Sequence, residues 1–143
     1  MVDSIITHSF ESRASDIHIE PHAKGVRLRL RIDGIMKETM QFPKWVMGPM
    51  VSRIKIMAKL DIAERRVSQD GKIKVRLGDK SADIRVSTLP TQYGETVVMR
   101  ILDPNATLLT LETVGLSKED VIRVKDIIER PQGIVLVTGP TGS

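Results

Sequence analysis

Cysteine is absent from the 143 residues. That excludes a disulfide framework and a thiolate zinc site, and it suits a reducing compartment. Aromatic residues are scarce, limited to Phe10, Phe42, Trp45 and Tyr93. Proteins that hold single-stranded nucleic acid stack bases on aromatic rings, so the composition argues against that class. No apolar run approaches the ~20 residues needed to cross a bilayer. The opening Met1-Val2-Asp3-Ser4-Ile5-Ile6 lacks the basic region of a secretory signal. A soluble, cytoplasmic protein is the expectation.

What is present suits a globular domain: 41% hydrophobic residues, 28% charged residues and a net charge of +4. The positive excess is local. Arg53, Lys55, Lys59, Arg65, Arg66, Lys72, Lys74 and Arg76 face only Asp61, Glu64 and Asp70 in the same stretch. Such a patch could meet nucleic acid, acidic lipid, an acidic protein or nucleotide phosphates, or could be a solvated face.

Periodicity divides the chain into elements. Residues 2–14 read as a short helix. Asp16 to Glu20 alternates as a strand stopped by Pro21. Val26, Leu28, Leu30 and Ile32 alternate with Arg27, Arg29 and Arg31, and Asp33-Gly34 is a strong hairpin signal into a returning strand at 35–40. Met50, Val51, Ile54, Met57 and Ala58 recur at helical spacing, with Pro49 in the first turn. Gln69-Asp70-Gly71 reads as a turn. Strands at 72–77, 82–87 and 96–102 form an antiparallel meander, with a hairpin loop at 78–80. Trp45 is expected in the partial core. Asp103-Pro104-Asn105 is a break. A second helix follows, capped by Ser117 with Asp120 at its third position. The run Ile134-Val135-Leu136-Val137-Thr138 lacks alternation and reads as a strand covered on both faces, as in a parallel α/β sheet.

Residues 1–102 are thus expected to form an α+β domain with a mostly antiparallel sheet flanked by helices. A linker at 103–107 leads to residues 108–143, the first helix and strand of an α/β domain. That second piece is too short to enclose a core of its own.

The strand at 134–138 runs into Gly139-Pro140-Thr141-Gly142-Ser143. These are the first glycine and four spacers of the phosphate-binding loop G-x-x-x-x-G-K-[ST]. Its backbone N–H groups would cradle phosphate. The lysine that grips the β- and γ-phosphates is expected beyond Ser143, so these 143 residues alone are expected not to hydrolyse ATP.

Ordered blocks along the chain resemble the type II secretion and type IV pilus assembly ATPases. They are Ala14-Ser15-Asp16-Ile17-His18-Ile19-Glu20-Pro21, Arg31-Ile32-Asp33-Gly34, Ser52 to Ala58, Leu60 to Arg66, Gln69-Asp70-Gly71, Asp83 to Thr91, Gly94-Glu95, Arg100-Ile101-Leu102-Asp103 and Gly133 to Ser143. The resemblance implies a PAS-like regulatory domain over residues 1–102 and the start of a RecA-like ATPase domain after it. It further implies a homo-hexameric motor that uses ATP and Mg²⁺, sits on the cytoplasmic face of the inner membrane and works with membrane platform proteins, not nucleic acid. A stand-alone protein-interaction or nucleotide-sensing module is the alternative; nucleic-acid binding through residues 53–76 is a third reading, disfavoured by the scarcity of aromatics.

Candidate site residues follow. Gly139, Pro140, Thr141, Gly142 and Ser143 form the nucleotide loop. Arg85 and Arg100 each alternate with core residues, so both point away from the core. Neighbouring strands could bring their planar forks to one face, suited to bidentate contacts with phosphate. By resemblance, they reach the γ-phosphate during domain closure. Arg31 could meet phosphate or pair with Asp33 or another nearby acid. Asp16, His18 and Glu20 share a strand face, but such neighbours project in parallel about 6.5–7 Å apart. Pairing of these acids with the arginines at 27–31 is expected, and no metal site is assigned. Glu64, Arg65 and Arg66 are either a solvated turn or, by resemblance, part of subunit contacts.

Overall fold

The computed structural model describes residues 1–77, 80–102 and 110–139. Two units are distinguished, Met1–Pro104 and Asn105–Ser143. The expected linker at 103–107 lies outside the described residues, as do Gly78 and Asp79 of the expected hairpin loop.

The first unit opens with helix α1 (Val2–Glu11), which buries Val2, Ile5, Ile6 and Ser9. The Ser9 hydroxyl donates to the Ile5 carbonyl at 2.7 Å, which satisfies the one polar group on that face. Strands β1 (Asp16–His22), β2 (Gly25–Ile32) and β3 (Ile35–Phe42) form one antiparallel meander. Strands β4 (Gln69–Leu77), β5 (Lys80–Thr91) and β6 (Gly94–Leu102) form another. Pairing of β1 with β6 joins them into a six-stranded sheet of order β3-β2-β1-β6-β5-β4. The fold is α+β, and every described strand pair is antiparallel.

Alternation accounts for the sheet. Ile17, Ile19, Leu28, Leu30, Ile84, Val86, Val97 and Met99 point into one core, shared with the buried faces of α1 and of helix α2 (Met47–Ala58). The charged partners of that alternation form the other face of the sheet. The β2–β3 turn has φ of 51° at Asp33 and 76° at Gly34. Two successive left-handed residues are what a two-residue hairpin turn of matching twist requires.

Four expectations are corrected. First, β1 runs through Pro21 to His22. Proline lacks only the N–H, and pairing with β6 ends at Ile19, so no ladder bond is lost at Pro21. Second, Gln69-Asp70-Gly71 begins β4 instead of turning. Gly71 is needed for close approach: a Cβ there would lie 2.7 Å from the Ala58 carbonyl oxygen and 2.9 Å from Leu60 Cδ2. Third, Trp45 is 77% exposed. It lies in a single 3₁₀ turn (Lys44–Val46), where Val46 takes the core position. Fourth, residues 134–138 form no strand, and Ile134, Val135, Leu136 and Val137 are exposed. A strand of a parallel sheet needs hydrogen-bonded neighbours and cover on both faces. The second unit has one described helix, α3 (Lys118–Ile128), and none of its residues is buried. Ser117 does cap α3, its hydroxyl accepting from the Asp120 N–H at 3.1 Å.

Candidate functional site

Strand register assembles a lateral row on the solvent face of the sheet. Arg31 of β2 stands opposite Asp16 of β1, Asp16 opposite Arg100 of β6, Arg100 opposite Arg85 of β5, and Arg85 opposite Lys72 of β4. Directly opposed residues in antiparallel strands have Cα atoms about 4.5–5.5 Å apart. The row therefore carries four cations and one carboxylate across five strands.

The two ends of the row differ. Asp16 is buried, and its two oxygens are shared between neighbours. Arg100 Nε donates to Oδ1 at 2.9 Å, Arg31 Nε lies 3.2 Å from Oδ2, and the Ser15 hydroxyl donates to Oδ2 at 2.8 Å. Burial alone pushes the Asp16 carboxyl up. The hydrogen bonds from Arg100 and Ser15, with the charges of Arg100 and Arg31, outweigh it and hold the group below the ordinary aspartate value. Arg31 is held further by a hydrogen bond from Nη1 to the Gly34 carbonyl at 3.0 Å. It therefore takes the pairing arrangement, with Asp16 as its acid instead of Asp33.

Arg100 is anchored through Nε yet remains 67% exposed, so its terminal nitrogens face solvent. Arg85 and Lys72 are exposed, and among the described residues neither makes an ion pair. Arg100, Arg85 and Lys72 line a shallow hollow of about 600 Å³, together with Asp70, Ser87 and Val98. Like charges directly opposite one another destabilise a sheet, by a few tenths to ~1 kcal/mol per pair. This end of the row is a place where an anion would relieve repulsion built into the fold.

The next acid along β1, Glu20, behaves differently. Glu20 pairs with Arg29, and Arg27 Nε lies 3.6 Å from its second oxygen. Arg27 also reaches Glu38 at 3.6 Å. His18 Nδ1 lies 3.7 Å from Glu20. Burial lowers the affinity of His18 for a proton, and Arg29 adds to that against the opposing pull of Glu20, leaving its pKa below the ordinary imidazole value. The acids on this face thus take the arginines of β2 as partners, as the alternation suggested.

The basic stretch at 53–76 does not form one patch. Arg53 lies on α2 near Asp3, at 3.7 Å. Lys72 and Lys74 are on the sheet. Lys55 is inside the core at 1% exposure, with Nζ 2.5 Å from Glu95 Oε1 and donating to the Glu64 carbonyl at 2.5 Å. This buried pair was not anticipated. The signal was present: Lys55 falls four residues after Val51 and three before Ala58, on the buried stripe of α2. Through Glu64, Lys55 fixes the connection from α2 to β4. That connection is also knit by Asp61 Oδ1, which accepts from the Ala63 N–H at 2.8 Å, and by the Gln69 amide, which bridges Asp61 and Glu64. Glu64 accepts from the Arg66 N–H, which with the Arg66 side chain lowers its pKa. Arg65 and Arg66 are both exposed, and Arg65 also lines a separate cavity of about 260 Å³ beside Met47, Val51, Tyr93 and Glu95.

Gly139 is the last described residue and is exposed; Pro140, Thr141, Gly142 and Ser143 lie outside the described residues.

Compared with families of known proteins, residues 1–143 match the family described as Type II/IV secretion system protein. The type II secretion system protein E of Pectobacterium carotovorum subsp. carotovorum is 47% identical over 143 residues, which is 100% of this chain and 29% of that protein. The type II secretion system ATPase E of Vibrio cholerae is 46% identical over 143 residues, 100% of this chain and 28% of that protein. The type IV pilus assembly ATPase PilB of Myxococcus xanthus is 49% identical over 144 residues, 100% of this chain and 25% of that protein. The chain therefore spans less than a third of the length of these relatives. Among solved structures, the pilus retraction motor PilT with bound ADP is similar in fold, with a TM-score of 0.54 over 98% of this chain and 38% of that chain at 23% identity. With the family matched over its whole length, the chain belongs to the type II/IV secretion system proteins.

Proposed function

We propose that this chain is part of an ATP-driven motor for protein secretion or pilus assembly, and that Arg85 and Arg100 contact the γ-phosphate. The observation that carries this reading is their direct opposition on the solvent face of the sheet, beside Lys72. ATPase names among the relatives support it. Guanidinium forks make bidentate, charge-assisted contacts with phosphate. Arg100 is preorganised for this, since Asp16 holds its Nε and leaves the terminal nitrogens toward solvent.

In this reading residues 1–102 form the regulatory domain, PAS-like in type, and residues 108–143 begin a RecA-like domain after a linker at 103–107. Gly139, Pro140, Thr141, Gly142 and Ser143 form the first part of the loop that cradles the triphosphate. Mg²⁺ bound with ATP neutralises charge on the phosphate oxygens. Arg85 and Arg100 supply charge from the other side. Phosphate held between a loop on one domain and arginines on another favours the closed arrangement of the two. Loss of the γ-phosphate removes that preference. Six subunits working in a ring against a membrane platform would convert this alternation into movement of protein.

The test is turnover of the complete motor with Arg85→Ala and with Arg100→Ala. Arginines that stabilise phosphoryl-transfer charge contribute about 10³-fold or more, so each variant should lose at least about a hundredfold in kcat while keeping its fold. Turnover within twofold of the unaltered motor for both variants would refute the assignment.

A further inference from the structure

Lys72 has no role in the reading above, yet register places it directly opposite Arg85, which is directly opposite Arg100. All three line the same hollow. The other end of the row is already balanced, because Asp16 lies between Arg31 and Arg100 and accepts from both. Nothing comparable stands between Lys72 and Arg85. Asp70 lines the hollow one step along β4, and Asp83 sits one step along β5, directly opposite Lys74 instead of Lys72. No ion pair joins either acid to Lys72 or Arg85 among the described residues.

Strands are about 4.8 Å apart, so three successive cations spread charge over a length that one phosphate does not fill. We propose that Lys72 is a third phosphate-contacting residue, and that the Arg100–Arg85–Lys72 row takes a chain of linked phosphates instead of a terminal phosphate alone. This rests on the reading that Arg85 and Arg100 meet phosphate. It adds that the contact continues along the ligand toward the edge strand β4. The ammonium acts there as a mobile point charge, which suits an inner phosphate that the rigid arginine forks do not reach.

The test is titration of the 143-residue chain with sodium tripolyphosphate, followed by calorimetry at low and at physiological salt. Six proteins are compared: the unaltered chain, Lys72→Ala, Lys72→Glu, Lys74→Ala, Arg85→Ala and Arg100→Ala. Lys74 is the control, since it has the same charge, strand and face but stands opposite Asp83. An exposed charge contact is worth up to ~1 kcal/mol, or about fivefold in affinity. Lys72→Ala should therefore weaken binding by about two- to fivefold, and Lys74→Ala by less. Lys72→Glu puts a carboxylate opposite Arg85 and should weaken binding by more than Lys72→Ala. If Arg85→Ala and Arg100→Ala weaken binding while Lys72→Ala matches Lys74→Ala, the extension to Lys72 is wrong and the arginine reading stands. If tripolyphosphate fails to bind, or binds independently of Arg85 and Arg100, both are wrong.

Discussion

Lys55→Met should be among the most destabilising single changes in the first unit. Lys55 is 1% exposed and Glu95 7% exposed, with Nζ 2.5 Å from Oε1. Glu95 Oε1 has no other partner among the described residues, so removing the lysine leaves a buried carboxylate without its counter-charge. The Glu64 carbonyl loses its donor as well. Breaking a buried pair from one side costs about 3–5 kcal/mol, whereas replacing both partners with apolar groups is often close to neutral. A domain of this size has only about 5–15 kcal/mol of total stability. In urea, with a slope of about 1–3 kcal/mol per molar, the midpoint should fall by at least ~1 M. Glu95→Leu should cost a similar amount. The double variant Lys55→Met/Glu95→Leu should recover at least half of the summed loss, giving a coupling energy of about 3 kcal/mol or more. Unfolding of the 143-residue chain followed by circular dichroism measures all three. Single losses below about 1 kcal/mol, or additive losses, would show that the pair is not a buried, mutually dependent contact.

Other predictions concern backbone and charge. Gly71→Ala forces a Cβ to 2.7 Å from the Ala58 carbonyl oxygen, and overpacking of this kind costs about 1–3 kcal/mol by urea unfolding. Lys59 ends α2 in the left-handed region at φ 58° and is exposed, so Lys59→Gly should raise stability by about 1 kcal/mol in the same assay. Asp16 has a lowered pKa in the folded state, so its contribution is present above the unfolded value of about 3.9 and is lost as pH falls through the lower folded value. The acid limb of the stability–pH curve should flatten there in Asp16→Asn. His18 also has a lowered folded pKa, so its titration by NMR should have a midpoint below about 6.5. Folding should lose stability as pH drops below that value, because the unfolded chain takes up the proton first.

Much of the sheet was legible because each strand alternates, and because Asp33-Gly34 fixes a hairpin through its turn geometry. Alternation also assigned Arg85 and Arg100 to the face away from the core. It could not say that they stand opposite one another, since that depends on the β5–β6 register set by the two-residue turn between Thr91 and Gly94. The role of Asp16 was half legible. Its pairing with a β2 arginine follows from hairpin neighbours, but the bond to Arg100 joins residues far apart in sequence. Gly71 was misread because Asp-Gly is usual turn chemistry, whereas here the glycine answers to the end of α2 packing over the strand. Lys55 reads from the sequence only as one charge of the basic stretch, because lysine rarely enters a core. Only the fold shows that Glu95 and the Glu64 carbonyl await it there. Residues 134–138 show the limit of local pattern: an apolar run specifies a buried strand only where a sheet exists to receive it.

The most direct measurement is a structure of the complete motor with a non-hydrolysable ATP analogue and Mg²⁺. The account predicts guanidinium nitrogens of both Arg85 and Arg100 at about 2.7–2.9 Å from oxygens of the terminal phosphate in at least one closed subunit. A closed, nucleotide-filled subunit in which both guanidiniums remain in solvent or pair with carboxylates would contradict it.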